Sequence, residues 1–412
     1  MKRMLRAMLC QFTFKNYRSY RDETELSMQA TPMKEFGRSL IECADGQSFL
    51  NVAAVYGPNA GGKSNLLEAL DYVRSAVARP VWLLSARSDA PENGRPSMAR
   101  CSAFEFDEVS SAEPTEFELY YRAGEHEYRY ALSVHANEIV SEGLWRRKLG
   151  ASRTAMLFER EGTDVELGPS LRRLATAATF NPYLPYLSFL CINFDIPVIK
   201  EAASWFLNGV FLNYNSSYLE RALEQTLDED DSPEVTRFLR AVDVRIDGFR
   251  VEKAAEEHRQ RVFVKHAVGG KDYELRLSEE SAGTQKLMGL ASFLLAALER
   301  GGTVVVDELD AKLHPKLLRY VILLFKDPEI NKNGAQLIFS SQDVSTMRND
   351  VFRRDEIWFA ARDEDAASQL WSLADIREAN GNLVSKNAAF DKQYLSGRYG
   401  ADPYLARIEE WD

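Results

Sequence analysis

The sequence predicts an α/β fold: a core of parallel strands, an antiparallel β subdomain beside it, and a helical insertion in the middle of the chain. Three observations carry that expectation. Residues 51–56 form a short apolar strand-like run that ends in a glycine-crowded loop, and Leu66, Leu67 and Leu70 then fall on one helical face. Far downstream, TVVVDE at 303–308 is an apolar, β-branched run of the kind buried on both faces of a parallel sheet. Between them the texture changes from strand-like, in TEFELYY and YRYALSV, to helix-like across 171–240.

Composition sets the outer limits. The 412 residues leave room for two or three domains, and 45% hydrophobic residues supply a large core. A net charge of −11 argues against a surface basic throughout, so nucleic acid would need a local patch. Cys10, Cys43, Cys101 and Cys191 are scattered without paired spacing, which fits free thiols in a reducing cytoplasm better than disulfides or a zinc site. No apolar run is long enough to span a bilayer, and Arg6 breaks any signal-like core in MKRMLRAMLC. A cytoplasmic protein is therefore expected, with Met4 and Met8 leaving the start codon open.

Taken in order, residues 11–28 read as two strands around the turn NYRSY, with Phe12 and Phe14 alternating before it and Thr24, Leu26 and Met28 after it. The stretch 81–97 carries Pro91, Gly94 and Pro96 and reads as a loop. Residues 104–145 read as a hairpin broken at Gly124. LRRLATAATF, EAASWFLNGVF, SYLERALEQTL and EVTRFLRAV read as helices, with the acidic run 228–231 as a solvated connector. From Arg261 the chain returns to strands. After Ser281 a helix runs through Leu287, Leu290, Leu294 and Leu298 until Gly301 and Gly302 stop it. The expected organisation is an N-terminal lobe at 1–150, the helical insertion at 151–250 and a C-terminal lobe at 251–412.

Three motifs carry chemistry. Gly57, Gly62, Lys63 and Ser64 fit G-x-x-x-x-G-K-[ST], the P-loop pattern, in the strand–loop–helix context it requires. Gly57, Pro58, Asn59, Ala60, Gly61, Gly62, Lys63, Ser64 and Asn65 are then the expected cradle for the phosphates of ATP. Glycines let backbone N–H groups turn inward at the positive end of a helix. Lys63 would reach the β- and γ-phosphates and Ser64 would hold Mg2+. The plain alternative is a glycine-rich turn that caps a helix. Asp307-Glu308 ends an apolar strand as a Walker B element does: Asp307 would hold Mg2+ directly or through water, and Glu308 would orient or deprotonate the attacking water. Two solvated acids at a strand end are the alternative there. In LSEESAGTQK at 277–286, Ser281, Ala282 and Gly283 start a helix with small residues, a second anion-binding end. One chain does not need two such ends for one triphosphate, whereas two facing chains do, so an ATP-dependent homodimer is expected.

The order P-loop, Ser-x-Gly signature, Walker B resembles that of ABC-type ATPases. Ser281 and Gly283 match the serine and second glycine of the family's LSGGQ, while Ala282 and Thr284 depart from it. LDAKLHPKLL looks like the family's D-loop, with His314 where many members have aspartate. AQLIFSSQD looks like the switch strand, with Gln342 where many have histidine. The opening FKNYRSYRD, which contains Arg18, looks like that of the SMC and RecF branch, and YLSGRYGADPYL is similar to the tail of stand-alone bacterial ATPases grouped with RloA, associated with phage defence. The resemblance implies an ABC-type P-loop ATPase head. It places Arg18 among the nucleotide contacts, and it gives Gln342 a role in positioning water or touching the γ-phosphate, since glutamine is no base.

Two functions compete. One is a dimeric ATPase switch or motor controlling a separate, co-encoded effector such as a nuclease or toxin. The other is a RecF-like DNA repair ATPase, with DNA as partner. A built-in nuclease would need a further acidic module after the ATPase core, and none follows Trp371. The basic clusters Arg146-Arg147-Lys148 and Arg353-Arg354 read as solvated edges rather than DNA contacts.

Overall fold

The computed structural model describes residues 7–85, 101–174, 180–213, 227, 232–242, 244–253, 260–378 and 380–401. The chain opens with β1 (Ala7–Lys15), β2 (Thr24–Ser27), the small hairpin β3 (Ile41–Glu42) and β4 (Ser48–Phe49), then β5 (Val52–Tyr56), helix α1 (Lys63–Ser85) and the short α2 (Glu108–Ala112). A meander follows: β6 (Thr115–Ala123), β7 (His126–His135), β8 (Glu138–Lys148), β9 (Thr154–Glu161) and β10 (Asp164–Leu167). Next come α3 (Tyr186–Asn193), α4 (Pro197–Asn208), β11 (Val210–Asn213) and α5 (Ser232–Ala241). The C-terminal part holds β12 (Gly248–Lys253), β13 (Gln260–Val268), β14 (Lys271–Arg276), α6 (Ala282–Arg300) and β15 (Thr303–Asp307). It ends with α7 (Pro315–Lys326), β16 (Gln336–Ser340), β17 (Ile357–Arg362), β18 (Ser368–Ser372) and α8 (Phe390–Leu395).

Two large sheets organise the molecule. The antiparallel one has seven strands in the order β10-β9-β8-β7-β6-β1-β2. The other has six, β11-β15-β16-β5-β17-β18, parallel except for β18 at the edge. The apolar runs of the parallel strands are explained by their two buried faces. Val52, Ala54, Tyr56, Val304, Val306, Leu337 and Phe339 pack into a core with α6 and α7. The intervening Ala53, Val55, Val305 and Ile338 pack on the opposite side with α1 and the antiparallel sheet. Period-two alternation thus divides one apolar run between two cores.

The stretch expected as a helical insertion does contain α3, α4 and α5, but it also extends both sheets. β9 and β10 continue the antiparallel meander beyond residue 150. In EAASWFLNGVF the helix ends at Asn208, and Val210 onward pairs in parallel with β15. Tyr186, Leu187, Leu190, Ile199 and Phe206 are fully buried in the core shared by α1 and the antiparallel sheet. Excising 171–240 would therefore strip the core and an edge strand, not detach an appendage. The helix expected at 217–227 and the acidic run 228–231 lie outside the described residues, apart from Leu227.

Two further expectations are corrected. Helix α1 continues past Pro80 to Ser85, beyond the predicted loop start at Val81, because Tyr72, Val73 and Val77 anchor it in the core. Arg353-Arg354 is not a solvated edge. Arg353 is wholly buried, donating to both carboxylate oxygens of Asp355 and to the Thr31 carbonyl, while Arg354 pairs with Glu35. Of the other cluster, Arg147 pairs with Glu127 and Lys148 lies 3.8 Å from Glu125. The four cysteines are free thiols, and no described helix is long and apolar enough to cross a membrane.

Arg160 shows what fixes α3 to the antiparallel sheet. Its guanidinium donates to the carbonyls of Gly162, Pro182 and Leu184 and lies 3.4 Å from Glu142, with both side chains fully buried. Glu142 in turn accepts the N–H groups of Tyr186 and Leu187 and the Tyr130 hydroxyl. Burial raises the Glu142 pKa, opposed by those donors and Arg160. Arg160→Met leaves a buried carboxylate without its countercharge and three carbonyls without a donor. A loss of about 3–5 kcal/mol is expected, read as a lower urea midpoint.

Candidate nucleotide site

Three adjacent strands deliver the site. β16 lies between β5 and β15, and all three run parallel. The residues that follow Tyr56, Asp307 and Ser340 therefore emerge side by side at the carboxyl ends of the strands, where open α/β sheets place their ligands.

The loop after β5 needs its glycines for close packing. Gly57 has φ +148° and Gly62 has φ +109°. A Cβ at Gly57 would meet the Ala360 carbonyl oxygen at 2.0 Å, one at Gly61 would meet the same oxygen at 2.5 Å, and one at Gly62 would meet Ser368 Oγ at 2.5 Å. β17 and β18 thus press on the loop from behind. Gly57→Ala is expected to cost about 1–3 kcal/mol or more. Thermal melting with and without ATP checks that cost and the accompanying loss of nucleotide affinity.

Lys63 is buried, and its Nζ donates to the carbonyls of Gly57 at 2.8 Å and Pro58 at 3.0 Å. Burial draws its pKa below the ordinary lysine value, and the nearby carboxylates of Asp307, Glu308 and Asp310 oppose that shift. Asn59 and Ala60 are exposed at the loop tip, and Ser64 and Asn65 are half-buried in the first turn of α1.

The NYRSY turn buttresses this loop. Tyr20 donates to the Gly62 carbonyl at 3.3 Å, Asn65 donates to Ser19 Oγ at 2.7 Å, and Ser368 donates to the same Ser19 oxygen at 2.8 Å. Arg18, with φ +51°, reaches Asn65 Oδ1 at 3.4 Å and pairs with Glu68. It stands beside the first turn of α1 with 40% of its side chain exposed.

Asp307 is buried at the end of β15, and Ser340 Oγ donates to its Oδ1 at 2.5 Å. Glu308 adopts φ +54°, a left-handed conformation uncommon for a non-glycine residue. Its N–H donates to the same Ser340 oxygen at 2.7 Å. Two residues on, Asp310 Oδ2 accepts the N–H groups of Gln342 and Asp343, each at 3.1 Å. The turn after β15 and the end of β16 are thereby clasped together. Asp307, Glu308 and Gln342 are the residues expected from the sequence; Ser340 and Asp310, which bond to them, were not expected. The available signal was polar residues at the end of a fully buried strand and a third acid in DELD.

Ser281 stands at the start of α6. It caps α6, its Oγ accepting the Thr284 N–H at 3.1 Å, and it is exposed. A Cβ on Gly283 would meet only ordinary contacts, with the Lys312 carbonyl oxygen at 3.5 Å. The start of α6 is exposed and lies beside Lys312.

These residues fit a nucleotide with Mg2+. A buried lysine in the loop feels the charges of the Asp307, Glu308 and Asp310 carboxylates. Among the described residues no group of three or more His, Cys, Asp or Glu forms a metal cage. Mg2+ ordinarily needs none, keeping waters and phosphate oxygens beside one or two carboxylates.

A family model described as "AAA domain, putative AbiEii toxin, Type IV TA system" matches residues 52–348, from the start of β5 to just past Gln342. The chain belongs to this AAA family. AAA-domain families are nucleotide hydrolases, and the fold is the α/β ATPase head expected, with an antiparallel subdomain. No curated protein matches the chain in sequence. Among solved structures it is similar to the SMC head domain from Thermotoga maritima, with 15% identity and TM-score 0.42, covering 88% of this chain and 98% of that one. It is also similar to an SMC head bound to the C-terminal winged-helix domain of ScpA, with 14% identity and TM-score 0.45, covering 88% and 97%. A third is a Pyrococcus furiosus complex of an Smc head carrying an extended coiled coil with the C-terminal domain of ScpA, at 14% identity and TM-score 0.44, covering 89% and 96%.

Proposed function

We propose that this AAA protein is an Mg2+-dependent ATPase that works as a dimeric switch and controls a separate effector in an anti-phage system. The observation that carries the reading is the division of its chemistry. Lys63, Asp307, Glu308 and the switch residues gather at the ends of adjacent strands, while the helix start at Ser281 of the same chain is exposed. An outward-facing helix N-terminus with small residues suits phosphate held by another chain.

In this reading Lys63 binds the β- and γ-phosphates, and the backbone of 57–65 orients them. Ser64 and Asp307 hold the cation, which when bound offsets developing charge on the phosphates. Glu308 orients the attacking water or takes its proton, and Gln342 positions that water or touches the γ-phosphate. Arg18, beside the first turn of α1, contacts nucleotide from the flank. Ser281 and Gly283 of the facing chain close the site over the γ-phosphate. The defence context is supported by the toxin–antitoxin description of the family and by the RloA-like tail. A cytoplasmic location belongs to the same reading.

DNA repair is the second reading. The burial of Arg353 within its own carboxylate network removes one of the two basic clusters that could have served it. The test is ATP turnover with and without Mg2+, together with phage plating on cells carrying the native locus or its Lys63→Ala form. Turnover that needs Mg2+, and protection lost in Lys63→Ala, are the expected results. DNA binding with a steep salt dependence and no effect on phage would favour repair.

A further inference from the structure

We infer that Ser340 is a positioning residue for hydrolysis: its hydroxyl orients the Asp307 carboxylate toward the cation and fixes the turn that carries Glu308. The inference rests on the ATPase reading above and assigns it a residue outside the P-loop, signature and Walker B motifs.

Ser340 is completely buried at the end of β16, opposite Val55 of β5. Its Oγ donates to Asp307 Oδ1 at 2.5 Å and accepts the Glu308 N–H at 2.7 Å. A hydroxyl has one proton and two lone pairs, and an ionised carboxylate only accepts. The direction of both bonds is therefore fixed: the proton goes to Asp307, and a lone pair faces Glu308. The Ser340 carbonyl also accepts the Leu309 N–H at 3.1 Å. Three successive residues of the Walker B turn are thus tied to one serine on the neighbouring strand.

That arrangement has two consequences. Occupying Oδ1 with a donor leaves Oδ2 of Asp307 to meet a cation. The Glu308 backbone sits at φ +54°, and such strain persists only where surrounding bonds over-determine it. The bond to Ser340 does this, so the position of the Glu308 carboxylate depends on a hydroxyl that is itself completely buried. Gln342 lies two residues beyond Ser340, and its N–H is held by Asp310. A shift at the end of β16 would therefore reach Asp307, Glu308 and Gln342 together.

The test compares Ser340→Ala, Ser340→Thr and Ser340→Val with the parent. Threonine keeps the hydroxyl, and valine matches its shape without it. In metal-free protein, amide hydrogen exchange at Glu308 should quicken at least tenfold in the Ala and Val forms and stay near the parent rate in Thr. ATP affinity in EDTA should remain within twofold in all three. The Mg2+ concentration for half-maximal turnover should rise about tenfold in Ala and Val, with kcat down about tenfold or more, and Thr should restore both. Parental exchange, Mg2+ dependence and kcat in Ala would overturn the inference. So would equal impairment of Thr, Ala and Val, which would trace the effect to packing. A fold kept by Thr but lost in both Ala and Val would make the hydroxyl a folding requirement instead. A parent without Mg2+-dependent turnover would sink the ATPase reading itself, which is a separate outcome.

Discussion

Glu308→Gln is expected to lower ATP turnover at least about a hundredfold while ATP and Mg2+ still bind. A positioned general base or water-orienting carboxylate contributes roughly a hundred- to ten-thousandfold. Glutamine keeps the length and shape of the side chain and removes its capacity to take a proton. The backbone should tolerate the change, because the bond from the Glu308 N–H to the Ser340 hydroxyl, which anchors the left-handed conformation, does not involve the substituted side chain. Nor should the cation site, because Asp307 is oriented by the same serine from the other strand. The variant should therefore accumulate in a nucleotide-bound form, measurable as single-turnover hydrolysis against equilibrium binding of ATP. Turnover equal to that of the parent would move the catalytic assignment away from Glu308.

The parts of this molecule that could be read from sequence are those whose chemistry is local. Gly57 and Gly62 announce their loop because positive φ and close approach to Ala360 and Ser368 exclude a side chain, and that exclusion shows as glycine in the sequence. The apolar strands β5, β15 and β16 were legible for a similar reason, since two buried faces demand unbroken apolar runs. Ser340 was not legible. Its meaning comes from standing beside Asp307, which is 33 residues away in sequence, and only strand order brings the two together. Arg353 misled for the same reason: two adjacent arginines look solvated until the Thr31 carbonyl and Asp355 are seen around the first of them. β11 was missed because helical spacing in EAASWFL runs straight into NGVF. The break lies at Gly209, whose N–H closes the helix on the Trp205 carbonyl before Val210 joins β15.

The other large effect expected is rescue between two inactive variants. Lys63→Ala removes the cation proposed to bind phosphate, and Ser281→Arg places bulk and positive charge at the exposed start of α6. Each protein alone should have little ATPase activity. In a head-to-tail dimer, however, each site takes its P-loop from one chain and its signature from the other. A mixed dimer then has one site with both lesions and one with neither. Mixing the two proteins should restore turnover, up to about a quarter of the parental value when chains exchange freely and the sites act independently. That fraction follows because half the dimers are mixed and each carries one intact site of two. Strict coupling between the sites would mask recovery, so ATP-dependent dimerisation of Glu308→Gln is measured alongside by light scattering, where a doubling of mass is expected. The physical warrant is a contrast within one chain: Ser281 caps its own helix and is exposed, while Lys63 is buried in the loop after β5. A γ-phosphate held by Lys63 carries charge that a second helix N-terminus can stabilise. No recovery on mixing, together with no ATP-dependent dimer, would mean that a single chain completes its own site and that the exposed Ser281 helix serves another purpose.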